Sequence, residues 1–398
     1  MNLTERGQKV LSPVLGKYFP GFEIIKASGS YLTGADGKKY LDFSSGVAVT
    51  STGHCHPKVV AAAKKQLSNL IHICIGVALY EPYVALAEKL SKVVPLKNAQ
   101  FFFCQSGTEA IEGAIKLARY VTKKPGLIAL RGSFHGRSLG ALSLTTSKMK
   151  YREGYEPLLP EVYIADRDLA LIEGLLKTKN IAGLIFEPIL GEGGYLELSS
   201  DFIRGLRKLC TQYGALLIAD EIQTGIGRTG KWFAVEHAGV SPDVICMAKG
   251  IASGFPLGAV AAPAEIMKNW SPGAHGGTFG GNPVCCAAAL ATFDIIQKQK
   301  LVQKAKTLGN YLKKKLVALQ KRYPVIKEIR GTGLMLGIDF KDNAPVKKIS
   351  NGCLEQGLVL IPTGADGTVI RVIPPLTVTK AEIDKALKIF ENAIPKSL

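Results

Sequence analysis

Between about residues 98 and 262 the chain repeats one rhythm. Unbroken apolar runs recur at Phe101–Cys104, Leu127–Leu130, Gly183–Phe186, Ala215–Ala219 and Val244–Ala248. Short runs without polar alternation are what strands buried on both faces look like. Most of the intervals between them carry helical periodicity instead. After the first run, Ala110, Ile111, Ala114, Ile115, Ala118 and Val121 fall on one helical face. Buried strands alternating with helices predict an α/β fold with a mostly parallel central sheet covered by helices.

The flanks read differently. Gly34-Ala35-Asp36-Gly37 is a turn signal, followed by a short strand at Lys39–Phe43. Beyond about residue 290, apolar positions Leu301, Ala305, Leu308, Leu312, Leu316 and Leu319 mark a long helix. Strands near Gly333–Phe340 and Val369–Ile373 come after it. A last helix opens where Thr379 and Glu382 have capping-box spacing. The expected organisation is an N-terminal segment, 1–48, a large central domain, 49–288, and a C-terminal part, 289–398. The two chain ends together are expected to build a smaller α+β domain.

Composition narrows the class. The chain has 398 residues, 47% hydrophobic and 21% charged, which excludes intrinsic disorder. Its 43 glycines and 20 prolines show no collagen period and imply many tight turns. The longest stretch without Asp, Glu, Lys or Arg, Asn269–Phe293, is broken by Gly, Pro and Asn and does not read as a membrane span. Met1–Arg6 lacks the basic-then-apolar pattern of a signal peptide. Eight cysteines occur without CxxC spacing, and Cys285 and Cys286 are adjacent, so neither a disulfide framework nor a zinc ribbon is expected. A cytoplasmic protein with reduced thiols is the reading.

Fifty basic against 32 acidic residues leave a net charge of +18, a field that concentrates anionic ligands. Nine of the cations, with no acidic residue among them, lie between Lys298 and Arg322. On a helix of that periodicity they read as the solvated face, in preference to a nucleic-acid patch, because no recognition module or aromatic platform accompanies them.

In a parallel sheet, ligands gather outside the carboxyl ends of the strands, so the residues just beyond each apolar run matter most. Gln105-Ser106-Gly107-Thr108-Glu109 opens a helix; its free N–H groups and hydroxyls suit a phosphate, and Ser106 with Glu109 equally suits an ordinary capping box. Phe134 and Arg137 bring a stacking ring and a carboxylate clamp to the next loop, although singly they read as core and surface. Glu187 and Glu192 stand on a Gly-rich loop and could form an acid–base pair, as in a glycosidase. Asp220 ends a strand and suits a metal ligand, a general base or the partner of a protonated ring nitrogen. Lys249 ends another, where a buried amine loses its charge readily and becomes a nucleophile unless it reaches solvent. Together, a phosphate cradle, a stacking ring, an Asp for a pyridinium nitrogen and a nucleophilic Lys are the requirements of pyridoxal 5′-phosphate.

From about Gly29 to near the C-terminus the sequence resembles the class III (ω-amino acid) pyridoxal-phosphate aminotransferases of fold type I. The resemblance rests on Gly53-His-Cys-His-Pro57, Ser106-Gly-Thr-Glu-Ala110, Phe134-His-Gly-Arg137, Glu187-Pro with Gly191-Glu-Gly-Gly194, Asp220-Glu-Ile-Gln223, Ala248-Lys-Gly250 and Gly277-Thr-Phe-Gly-Gly-Asn-Pro283. It implies that Lys249 is the Schiff-base lysine and Asp220 the partner of the pyridine nitrogen. Gln223 then lies near the phenolic oxygen, Phe134 stacks on the ring, and Ser106, Gly107, Thr108 and Glu187 belong to the cofactor site. Thr278 reaches the cofactor phosphate of a neighbouring subunit, which implies a homodimer. Arg137 binds a substrate carboxylate, Arg371 holds the α-carboxylate of glutamate, and Glu192 neutralises Arg371 when an ω-amine donor is bound.

So read, Glu187 and Glu192 are no glycosidase dyad, Asp220 is no metal ligand, and His54 and His56 form a structural turn, leaving no metal site expected. The implied reaction is ping-pong transamination from an ω-amino acid to 2-oxoglutarate, giving glutamate. The segment His72–Tyr83 and Arg371-Val-Ile-Pro-Pro-Leu-Thr377 favour 4-aminobutyrate as donor. N-acetylornithine or ornithine is the alternative, followed by an amino-acid racemase of the same family; a basic nucleic-acid-binding protein is the disfavoured non-enzyme reading.

Overall fold

The computed structural model describes residues 2–394. Its centre is a seven-stranded sheet. From edge to edge the strands are Ala99–Cys104, Gly258–Pro263, Val244–Met247, Leu216–Asp220, Ile181–Phe186, Gly126–Leu130 and Val162–Ala165. Six run parallel, and Gly258–Pro263 is antiparallel to both of its neighbours. All five apolar runs are strands. The antiparallel strand is not among those the pattern announced. The link between it and Val244–Met247 holds one 3-10 turn, Lys249–Ala252, too short for the crossover that parallel pairing needs.

Every residue of Gly126–Leu130, Ile181–Phe186 and Val244–Met247 is buried, because both faces of the sheet are covered. Alternate residues serve opposite sides. Ile218, Val244 and Cys246 pack with the helix Gly107–Thr122, whose buried face is Ala110, Ile111, Ala114, Ile115, Leu117 and Ala118. Leu217, Ala219, Ile245 and Met247 pack on the other side with Ile203, Leu206, Leu209 and Cys210 of the helix Ser200–Tyr213. Each fully buried Leu or Ile contributes roughly 1.5–3 kcal/mol by leaving water, so the sheet is a stiff platform.

The register sets Asp220 beside Cys246, Ala219 beside Phe186, Leu130 beside Ala165 and Cys104 beside Gly258. The strand ends are therefore level, and the segments that leave them emerge on one rim.

The chain ends meet in a second sheet. Ile24–Ser28, Tyr31–Gly34 and Lys39–Asp42 pair in sequence, and Leu358–Val359 joins Lys39–Asp42 in parallel. A further antiparallel sheet of Ile326–Thr332, Met335–Phe340, Val369–Val372 and Ile361–Thr363 carries Arg371.

The basic stretch is not one helix. Lys298 ends the helix Pro283–Lys298, Lys300 turns into the left-handed region at φ 51°, and a second helix, Leu301–Arg322, begins there. Its buried stripe is Leu301, Ala305, Gly309, Leu312, Leu316 and Leu319, so Gly309 lies innermost where the pattern pointed to Leu308. The reason is close packing: a Cβ on Gly309 would collide with the Gly333 backbone carbonyl. Lys304 donates to Thr377 O, Lys313 donates to Gly331 O, and Arg322 pairs with Glu391, so these cations hold the helix to its neighbours. Among the described residues no helix is long and apolar enough to cross a membrane.

Candidate active site

The rim of the central sheet encloses a cavity of about 460 Å³. That is room for a small planar cofactor and part of a substrate. Lys249, at φ 46°, leaves the strand Val244–Met247 and turns its amine into this cavity. Burial holds its pKa below that of an ordinary lysine, partly offset by Glu192, Asp220 and Glu187. The next residue must be small, since a Cβ on Gly250 would lie 2.5 Å from Ser51 Oγ.

Asp220 ends the neighbouring strand, 3% exposed. Its Oδ2 lies 2.7 Å from Nδ1 of the fully buried His135, and its Oδ1 accepts from the Ile222 N–H at 3.1 Å. Glu187 accepts from the N–H groups of Phe134 and Gly191 at 3.0 and 3.2 Å. Burial, reinforced by the Asp220 charge, raises its pKa well above the usual carboxylate range. Gln223 faces the same space with a buried Oε1 that has no partner among the described residues.

Ser106 caps the helix Gly107–Thr122, its Oγ accepting from the Glu109 N–H at 3.4 Å. Glu109 reaches back one residue further than a capping box requires, accepting from the Gln105 N–H at 2.9 Å and from Ser106 Oγ at 3.0 Å. Thr108 Oγ1 lies 2.6 Å from Ser138 Oγ, which donates to Glu112. Gly136, at φ 138°, permits this approach, because a Cβ there would overlap Thr108 Oγ1. Helix start and Phe134–Arg137 loop are thereby locked together. Phe134 forms a wall of the cavity, edge-on to Tyr151. The exposed Arg137 holds its guanidinium 4.4 Å from the Tyr151 ring centre.

Ser106, Gly107, Thr108, Phe134, Arg137, Glu187, Asp220, Gln223 and Lys249 thus line one cavity. Glu192, Arg371 and Thr278 are not on its wall. Arg371, with no exposed side-chain surface, donates from Nη1 to Glu192 Oε1 at 2.5 Å and from Nη2 to the Pro362 carbonyl at 3.0 Å. Burial works against its charge, but Glu192, Tyr195 and Tyr18 more than compensate and raise its pKa. Thr278 is exposed on the surface. His54 pairs with Asp42 at 2.8 Å and His56 caps the helix Pro57–Leu67, so both act in local structure.

Two residues of this region were given no role by sequence reasoning. His135 sits inside the Phe134–Arg137 motif, and its place beside a stacking residue was a usable signal. Tyr18, whose hydroxyl lies 2.9 Å from Arg371 Nη2, comes from 353 positions away and left none.

The residues present fit pyridoxal phosphate. A helix start offers Ser106, Gly107 and Thr108 to a phosphate, a buried amide oxygen unpartnered among the described residues awaits a polar ligand, and a buried carboxylate and an amine line the same apolar-walled cleft.

Comparison with known proteins agrees. The profile of the family described as aminotransferase class-III matches residues 16–394. The chain is 39% identical to the 5-aminovalerate aminotransferase DavT of Pseudomonas putida over 98% of this chain and 97% of that protein. It is 38% identical to the 4-aminobutyrate aminotransferase GabT of Escherichia coli, over 99% and 98%, and 41% identical to the acetylornithine aminotransferase of Archaeoglobus fulgidus, over 93% and 94%. Among solved structures, the ornithine aminotransferase of Toxoplasma gondii superimposes with a TM-score of 0.93 at 30% identity, over 99% of this chain and 95% of that one.

Proposed function

The chain belongs to the class-III aminotransferases, and from that premise we propose that its amino donor is a short ω-amino acid, 4-aminobutyrate first, and its acceptor 2-oxoglutarate, which leaves as glutamate. The enzyme is a pyridoxal-phosphate-dependent transaminase of fold type I. When bound, the cofactor supplies an electron sink for the carbon that loses its proton and a carrier for the amino group between the two half-reactions.

The chain supplies the rest. Lys249 would hold the cofactor, and its Nζ would take the proton from the carbon bearing the substrate amine. Burial makes this amine a usable base by disfavouring its charged form. Asp220, oriented by His135, presents its carboxylate to the ring nitrogen. Ser106, Gly107 and Thr108 receive the phosphate, Phe134 covers the ring, Glu187 shares the cofactor site and Gln223 offers its free Oε1. Thr278, exposed and off its own cavity, is assigned to the phosphate site of a second copy in a homodimer.

The observation that carries the donor class is the Glu192–Arg371 pair. Glutamate brings two carboxylates and a short ω-amino acid one. Arg137 suits the carboxylate they share, and Arg371 suits glutamate's second one only if it can be silenced for the other donor. A carboxylate paired with Arg371 in the resting protein is that silencer. The acetylornithine relatives favour a second reading, in which Arg137 takes the α-carboxylate of N-acetylornithine.

The test is a single-turnover half-reaction of the cofactor-loaded enzyme with 4-aminobutyrate, 5-aminovalerate, N-acetylornithine, ornithine, β-alanine or lysine, monitored by the visible absorption. A short ω-amino acid should react fastest; N-acetylornithine outpacing them all would replace the first reading with the second.

A further inference from the structure

We propose that Lys148 is the second seat of the gate: when Arg371 turns to the α-carboxylate of glutamate, the Glu192 side chain leaves it and pairs with the Lys148 ammonium. This rests on the gate reading of the Glu192–Arg371 pair.

The backbone of Glu192 cannot take part in such a movement. Its carbonyl oxygen accepts from the Gly364 N–H at 3.1 Å and from Thr363 Oγ1 at 3.3 Å, so opening is a matter of the side chain alone. That side chain is only 12% exposed. A carboxylate released there without a partner would be strongly disfavoured, so an open gate needs another cation within reach. Arg371, Lys249 and Lys148 are among the cations that interact electrostatically with Glu192. Arg371 is the one being released, and Lys249 serves the cofactor.

Lys148 is left. It is half-buried, and its ammonium makes no hydrogen bond or ion pair among the described residues. Burial lowers its pKa and Glu192 raises it again, while Lys150, Arg371 and Arg137 oppose its charge. An arriving carboxylate would therefore relieve an uncompensated cation as well as find a partner.

There is also space. Lys148 lines a second cavity, of about 530 Å³, together with Tyr18 and Pro362, the two other groups that Arg371 touches. Of the remaining charged groups on that wall, Lys17, Lys347 and Asp366 are exposed and solvated. Lys148 directly precedes the short turn Met149–Tyr151, whose Tyr151 ring supports Arg137, and it feels the charges of both substrate arginines.

Single-turnover half-reactions with 4-aminobutyrate and with glutamate read the two gate positions separately. Lys148→Met should slow the glutamate half about tenfold, the scale of leaving a partly buried carboxylate unpaired. The 4-aminobutyrate half should stay within about twofold, and Lys148→Arg should retain both. In a Glu192→Gln background there is no carboxylate to receive, and Lys148→Met should add nothing. A loss that persists in that background means that Lys148 binds substrate directly and overturns the proposal. So do equal losses in both halves with the cofactor still bound, or no loss. If Glu192→Gln itself shows no difference between the halves, the gate reading falls and takes this one with it; a gate that survives while Lys148→Met shows no difference refutes the second seat alone.

Discussion

Arg371 and Glu192 stand 179 positions apart in the chain, yet the guanidinium of one meets the carboxylate of the other at 2.5 Å, in a place where the arginine has no contact with solvent. Removing the carboxylate leaves a buried cation with only Tyr18 and Pro362 as hydrogen-bond partners among the described residues. Glu192→Gln should therefore depress the 4-aminobutyrate half-reaction by about tenfold or more, because Arg371 then remains charged against an apolar substrate tail. The glutamate half should suffer less. Comparing kcat/KM for the two half-reactions checks this, and equal losses would refute it.

Asp220 is oriented by one side chain. His135 spends its Nδ1 on Asp220, and its other ring nitrogen is buried without a partner among the described residues. Asp220→Asn should cost roughly 10²–10³ in turnover, the scale of a misplaced electrostatic group at a reacting centre. His135→Leu should cost about tenfold, the scale of losing an orienting neighbour. His135→Asn, which restores an N–H donor, should recover part of that loss. Turnover numbers at saturating substrate distinguish the three; a His135→Leu enzyme of full activity would show that Asp220 needs no such orienting group.

Lys249→Ala should abolish the covalent link to the cofactor, seen as loss of the visible band, and reduce turnover by roughly 10⁴, the upper range for a lost acid–base group. Burial also lowers the pKa of Lys249. The neutral amine is thus present at lower pH than for an ordinary lysine, and cofactor capture by the cofactor-free protein should accelerate with rising pH around a midpoint below 10.5. A midpoint at or above the ordinary value would show that the amine is solvated.

Glu221 is fully buried beside the site, accepting from the Val235 N–H at 2.8 Å and from the Thr224 hydroxyl. Burial pushes its pKa up from 4.5 to about 7. A carboxyl raised on folding stabilises the folded state fully below pH 4.5, and that contribution fades as pH rises through about 7. By linkage the loss across this window is on the order of 3 kcal/mol. Glu221→Gln should flatten this part of the stability curve, so that unfolding midpoints at pH 5 and pH 8 differ less in the variant than in the parent. Parallel curves would refute it.

Much of the architecture is legible in the sequence by itself. The runs Leu127–Leu130, Gly183–Phe186 and Val244–Ala248 announce buried strands because unbroken apolar stretches can only be satisfied with both faces covered. Ala110 to Ala118 announce a helix because burial on one side imposes its own period. Lys249 and Asp220 stand out because each ends such a run, where a parallel sheet collects its ligands. All of these are local signals, written within a few residues of the feature they describe.

What tertiary structure alone decided lies between distant segments. It turned Gly258–Pro263 antiparallel, moved the inner face of the basic helix to Gly309, joined His135 to Asp220 and brought Tyr18 to Arg371. It also set the charge preferences of Lys249 and Glu187, which depend on how thoroughly water is excluded around them. Periodicity and turn chemistry are properties of neighbours along the chain and can be read in order. Partners and dielectric surroundings arise only when the layers close, from side chains whose separation in sequence carries no trace of their contact.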